Sequence, residues 1–250
     1  MIELPSHRLV GGTVDRAALR LAGGMLVVGE LSLTLVTLLH PGREAANNHP
    51  AVFAEYAASG SWTAVHLGQF VATAVILAGL LALVAALNLQ APGPYWVARF
   101  AAGSAVAALA LTAVNQAVDG VALKQAVDAW ARAPAAEQAS TFANAEVVRW
   151  VEWGTRSYQR SMIGLTFLLV GTGIGWTGRL PKLAGYLAVL ISLIYLLQGW
   201  LLGIEGYASP LSVPTPLGLA LELGWAVWVA VIAWRLPARM TTPEESAGDR

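Results

Sequence analysis

Six stretches of the chain stay apolar for roughly the 20 residues that a helix rising about 1.5 Å per residue needs to cross a hydrocarbon layer about 30 Å thick. They cover residues 18–39, 62–89, 96–121, 159–176, 183–203 and 217–236. Strong breakers separate them: His40-Pro41-Gly42, Pro92-Gly93-Pro94, Gly178 with Pro181, and Pro237. The pattern predicts an all-α, polytopic transmembrane helix bundle of about six spans over residues 18–237. A short segment, 1–17, precedes it, and a polar, acidic tail, 238–250, follows and is expected to be disordered. The first three stretches do not match the last three in polar positions or breaks, which weighs against an inverted-repeat transporter.

Residues 122–158 break the apolar rhythm without breaking the helical one. Asp128 and Arg132 form an i,i+4 pair, and Glu152 sits at helical spacing between Arg149 and Arg156. An extramembrane helical hairpin between spans three and four is expected, with Pro134 opening its second arm. Lys124, Asp128, Arg132 and Arg149 are expected to solvate it.

Composition agrees with the pattern. Charged residues make up 12% of the chain, half of the roughly 25% of a soluble domain. The formal net charge is zero, so no global field draws nucleic acid, and no nucleic-acid partner is expected. The absence of cysteine excludes disulfides, thiolate nucleophiles and cysteine metal sites. The first apolar run is too long for a signal-peptide core and lacks a clean small-residue cleavage site, so it is expected to be retained. Arg8, Arg16, Arg20, Arg99, Arg179, Lys182, Arg235 and Arg239 all fall on one side of the predicted bundle. The positive-inside rule then puts both termini in the cytoplasm.

Depth along each predicted helix sorts the polar residues into two layers. His40, His66, Asp119, Arg156 and Glu205 all lie about 22 residues from the cytoplasmic ends, near the outer interface. Such a ring is either a site or an ordinary interfacial belt. Glu30 and Glu222 lie close to mid-membrane, with Gln198, Tyr195 and Arg160 near the same level and Asn115 and Gln116 a little above. A carboxylate at the bilayer centre costs about 2.5–3.5 kcal/mol on insertion scales, so both glutamates should face the bundle interior. They are expected as a Glu–Arg160 pair, as protonated carboxyls, or as plain helix-packing hydrogen bonds. Thr112, Asn115, Gln116 and Asp119 repeat at i, i+3, i+4, i+7, a polar stripe connecting the two layers.

Few motifs carry chemistry. His7, His40, His49 and His66 offer no second facing pair for haem and no carboxylate at metal-ligand spacing, so neither metal nor cofactor is expected. Gly171-Thr172-Gly173-Ile174-Gly175 lies inside an apolar run and reads as a close helix contact. No Walker motif, nucleophile elbow or HExxH is present.

Several stretches together resemble a family of uncharacterised bacterial polytopic membrane proteins: His49-Pro50-Ala51-Val52-Phe53 with Glu55-Tyr56-Ala57, and Trp62 followed by His66-Leu67-Gly68-Gln69-Phe70. Val118-Asp119-Gly120-Val121-Ala122-Leu123-Lys124, Val127-Asp128-Ala129-Trp130, and Glu146 through Glu152 continue the resemblance. It covers roughly residues 20–210 and implies a helical bundle in a bacterial plasma membrane, with no activity attached. It singles out His66, Gln69, Asp119 and Lys124.

The expected function is binding of a small polar or amphiphilic ligand in an outward-facing polar cavity. The cavity would be lined by His66, Gln69, Asn115, Asp119, Arg156 and Glu205, with Glu30 and Glu222 at its floor and Arg160 beside them. Membrane lipids and that ligand are the expected partners. Two alternatives stay open: a membrane-embedded enzyme using a buried Glu as general acid/base on a lipid-like substrate, and a transporter or channel subunit with carboxylate proton or cation sites.

Overall fold

The computed structural model describes residues 14–235, and every regular element among them is helical. The helices are α1 (Arg16–Thr37), α2 (His49–Ala58), α3 (Trp62–Leu87), α4 (Pro92–Ala117), α5 (Lys124–Arg132), α6 (Gln138–Thr177), α7 (Lys182–Glu205) and α8 (Pro214–Arg235). A π-helical stretch, Val118–Leu123, links α4 to α5, and a 3-10 turn, Ser209–Ser212, precedes α8. His7, Arg8, Arg239, Pro237 and the acidic tail lie outside the described residues.

Local chemistry sets most helix ends. The Asp15 carboxylate accepts from the Ala18 N–H at 3.0 Å and caps α1. Proline stands in the first turn of α2 and of α4, where its missing N–H costs nothing. Gly178, with φ +62°, closes α6 in the left-handed conformation that glycine adopts without steric penalty.

Among the described residues, five helical segments are long and apolar enough to cross a membrane: Arg16–Thr37, Trp62–Leu87, Pro92–Arg132, Lys182–Glu205 and Pro210–Arg235. The stretch expected as a fourth span, 159–176, forms the C-terminal part of α6 and is not among the five. At 40 residues α6 is about 60 Å long, far more than one span requires. The loop after the first apolar run holds a helix of its own, α2, whose Val52, Phe53 and Tyr56 pack with Trp62, Leu123, Val127 and Ala145. The second charged arm begins at Gln138, after a turn that includes Pro134, not at the proline itself.

α1, α3, α4, α6, α7 and α8 pack in that order into a closed ring, with α8 returning against α1. Glycine permits the closest approaches. A β-carbon at Gly185 of α7 would stand 2.7 Å from the Gly171 carbonyl oxygen of α6, and one at Gly23 of α1 would stand 2.8 Å from the Ala230 Cα of α8. Leu21, Val28, Leu31, Leu35, Trp96, Phe100, Leu193 and Trp200 project outward and are exposed, whereas Glu30, Asn115, Glu152 and Glu222 are buried. Apolar surface outside and polar groups inside is the arrangement of a bundle solvated by lipid.

The ring is not filled evenly. Away from α2, Leu19, Leu26, Leu80, Leu83, Leu87, Ile174, Val229 and Ala233 close-pack its centre. Toward α2 the centre holds polar side chains and a cavity.

Candidate functional site

α6 supplies the site's frame. Arg149, Glu152, Arg156, Gln159 and Arg160 recur at helical spacing on its inward face. Arg149 Nη1 donates to Glu152 Oε2 at 3.1 Å, and Arg156 Nε donates to Glu152 Oε1 at 3.2 Å. Arg156 Nη2 donates to Asp119 Oδ2 at 2.8 Å, and His66 Nε2 stands 3.1 Å from the same oxygen. Two phenols complete the cluster: the Tyr207 hydroxyl donates to Glu152 Oε1 at 3.0 Å, and the Tyr56 oxygen accepts from Arg149 Nη2 at 3.3 Å. Two guanidiniums thus alternate with two carboxylates, and the cluster balances its own charge.

The π-helical stretch aims this cluster. It carries Asp119 at its start, and such insertions recur at functional sites because they turn a helix's inward face by a fraction of a turn. Trp62 Nε1 donates to the Asp119 carbonyl at 2.8 Å and Thr63 donates to the Gly120 carbonyl at 2.9 Å. A β-carbon on Gly120 would stand 2.5 Å from His66 Cβ, so glycine there is what lets the two helices meet.

Burial shapes the titration of groups at this end. Burial, with His66 next, pushes the His40 imidazole down to about 4, and its ring lies edge-on to His66 with centroids 5.1 Å apart. Burial pushes the Tyr56 phenol up to about 12. Burial and then Asp119 raise the Glu152 carboxyl, against the pull of Arg149 and Arg156.

The cavity has a volume of about 370 Å³, within the range of small-molecule pockets, about 300–1,000 Å³. One end lies among His40, Pro41, Gly42 and Tyr207, and Asp119, Arg149 and Arg156 form its charged wall. Its middle is apolar, with Leu33, Ile76, Leu77, Ile163 and Leu219. Its floor is polar again: Arg160, Tyr195, Gln198 and Glu222. The Arg160 guanidinium lies 5.2 Å from the Tyr195 ring centroid and takes part in no ion pair or hydrogen bond among the described residues. The Tyr195 hydroxyl donates to Glu222 Oε2.

The nine residues picked out from sequence are not placed alike. Gln69, Asp119, Arg156, Arg160 and Glu222 line the cavity. Glu30, His66 and Asn115 are buried without lining it: Glu30 faces Glu222, His66 faces Asp119, and Asn115 accepts from the Thr155 hydroxyl at 3.1 Å. Glu205 is exposed and lies apart from the cavity, its backbone carbonyl accepting from Asn47 at 3.0 Å. The whole α4 stripe is buried. Thr112 accepts from Gln159 at 2.9 Å and Asp119 meets Arg156, so the stripe is read mainly by α6.

Arg149 departs from its expected role. Its side chain is 3% exposed and paired with Glu152, whereas Arg132 at 77% remains on the surface. The spacing 149, 152, 156 carried the signal, because a carboxylate between two arginines on one face makes a self-neutralising unit that can be buried. Tyr56 and Tyr207 left no such trace, since only the tertiary fold brings them to Arg149 and Glu152.

Fold and site together define an all-helical bundle with the surface of an integral membrane protein and a polar cavity inside it. No protein-family model, curated protein or solved structure matches the chain.

Proposed function

We propose that the protein binds a small amphiphilic molecule inside the bundle, from the side of the membrane that α2 faces. The cavity carries this reading: polar at both ends, apolar between, and enclosed by six helices. A molecule with a polar head and a short apolar body satisfies both kinds of wall at once. The leucine-filled centre beyond Glu30 favours a dead-end binding site over a through-path for transport.

In this reading the chain crosses a bacterial plasma membrane six times, α6 providing the remaining span with its residues 159–176. Both termini are cytoplasmic, following the positive-inside distribution of Lys and Arg. α2, α5 and the N-terminal half of α6 stand outside the hydrocarbon, which accommodates the excess length of α6. The cysteine-free chain makes the topology easy to test. Gly60→Cys should react with a membrane-impermeant maleimide on intact cells, and Gln90→Cys only after permeabilisation. The opposite pattern reverses the orientation.

Native mass spectrometry of the protein extracted in mild detergent tests binding. A retained small-molecule mass is expected on the wild type. It should be lost from Leu219→Trp, which fills the cavity's middle, while that variant keeps its helical circular dichroism. Absence of any retained mass, with no thermal shift on adding back membrane lipid extract, overturns the reading.

A further inference from the structure

Glu30 is fully buried, and neither of its carboxyl oxygens meets a donor among the described side chains and backbone groups. What it does meet is another carboxyl. Glu222, 2% exposed, faces Glu30 from α8: Arg20 reaches the Ala233 carbonyl and Gly23 meets Ala230, a register that sets Glu30 opposite Glu222, whose Oε2 accepts from Tyr195. Ionised carboxylates only accept hydrogen bonds, so two facing each other can bond only if one carries a proton. Two unscreened negative charges at such a distance also repel strongly.

Counting charge gives the same answer independently. The floor holds two carboxyls, Glu30 and Glu222, and one guanidinium, Arg160, whereas Arg149 and Arg156 are spent on Asp119 and Glu152 at the other end of the cavity. With all three ionised the floor would carry one uncompensated negative charge in a low-dielectric surrounding, which is strongly unfavourable. One proton balances it. Asp119 and Glu152 are each already paired with arginine, which leaves the Glu30–Glu222 pair to hold that proton.

We infer that Glu30 and Glu222 share a single proton and form a proton-binding site at the floor of the cavity. Glu222 lines the cavity and Glu30 does not, so protons enter and leave through Glu222 while Glu30 holds the far side. The charged and titratable groups acting on the pair are Arg160 from α6 and Tyr195 from α7, and the α3 flank offers Ile76 against Gly29. The site therefore shifts by one proton whenever a bound molecule changes the charge beside Arg160.

Infrared spectroscopy of the ligand-free protein in detergent at neutral pH tests this without reference to any ligand, so its outcome is separate from that of the binding experiment. The wild type should show the carbonyl stretch of one protonated carboxyl, shifted in D2O. Glu30→Gln and Glu222→Gln each leave one carboxylate against the Arg160 guanidinium, so both should abolish the band. Arg160→Gln leaves two carboxyls with no cation beside them, and should double it. A wild type without the band, a band that survives either glutamate substitution, or a band unchanged by Arg160→Gln overturns the inference. The wild-type and Arg160→Gln spectra decide the matter even if a glutamate variant fails to fold.

Discussion

Arg156 donates from Nη2 to Asp119 at 2.8 Å and from Nε to Glu152 at 3.2 Å, so one guanidinium ties the π-helical stretch to α6. Asp119 and Glu152 are 4% and 0% exposed, which makes this a buried pair whose halves depend on each other. Breaking such a pair from one side costs about 3–5 kcal/mol, chiefly because a charge is left buried alone.

Arg156→Met should therefore destabilise the protein by about 3 kcal/mol or more. Asp119→Asn alone should be comparably damaging. The double variant should recover part of the loss, and a double-mutant cycle on unfolding in detergent measures that coupling.

The neutral contact between α4 and α6 is of another order. Thr112→Val removes the acceptor for Gln159, a 2.9 Å bond within the bundle. Interhelical hydrogen bonds between polar side chains in membranes average about 0.6 kcal/mol. A loss of that size is expected, several-fold below the Arg156 effect in the same assay. A loss equal to that of Arg156→Met would show that the stripe, not the ionic cluster, holds the helices together.

Gly185→Ala should destabilise by about 1–3 kcal/mol, the usual cost of forcing atoms into a filled contact. The new methyl would meet the backbone of Gly171 and Gly175, which cannot move aside without separating α6 from α7. Gly24→Ala provides the control. Nothing lies within 4 Å of the added carbon, and the change should be neutral or stabilising by up to about 1 kcal/mol from helix propensity. Thermal unfolding of the two variants side by side distinguishes contact from propensity.

His40 should remain neutral well into acid. Burial holds its imidazole down at about 4 in the folded protein, below the ordinary value of 6.5. Between those values the unfolded chain binds the proton and the folded chain does not, so stability falls as pH drops from about 6.5 toward 4. His40→Phe should flatten that part of the stability profile. Nuclear magnetic resonance of the labelled imidazole gives the midpoint directly, and titration near 6.5 would mean that the ring is not enclosed as the packing implies.

Much of the site was legible from residue positions, for a physical reason. In lipid a charged side chain has one affordable direction, toward the bundle interior, so depth and helical spacing alone located Glu30, Glu222, the α4 stripe and the Glu152–Arg156 pairing. That logic weakens at the ends of the bundle, where water is near. Glu205 sits at the depth of the polar ring and yet is exposed, while Arg149 lies beyond the predicted span and yet is buried. At an interface either orientation is cheap, and only packing decides. The short helix α2 was hidden for a related cause: ten residues are too few to show a hydrophobic period convincingly.

The order of amino acids by itself determined that the chain is helical, that long apolar segments recur along it, and that its polar residues gather at two depths, since each follows from the cost of leaving backbone or charge unsatisfied in oil. Tertiary structure alone decided which helices are neighbours around the ring, that Tyr56 and Tyr207 join the arginine cluster, and that Glu30 faces Glu222. These are contacts between residues as much as 213 positions apart, as where Arg20 reaches the Ala233 carbonyl. They depend on how side chains and glycine gaps fit between helices, and one-dimensional spacing carries no record of that fit.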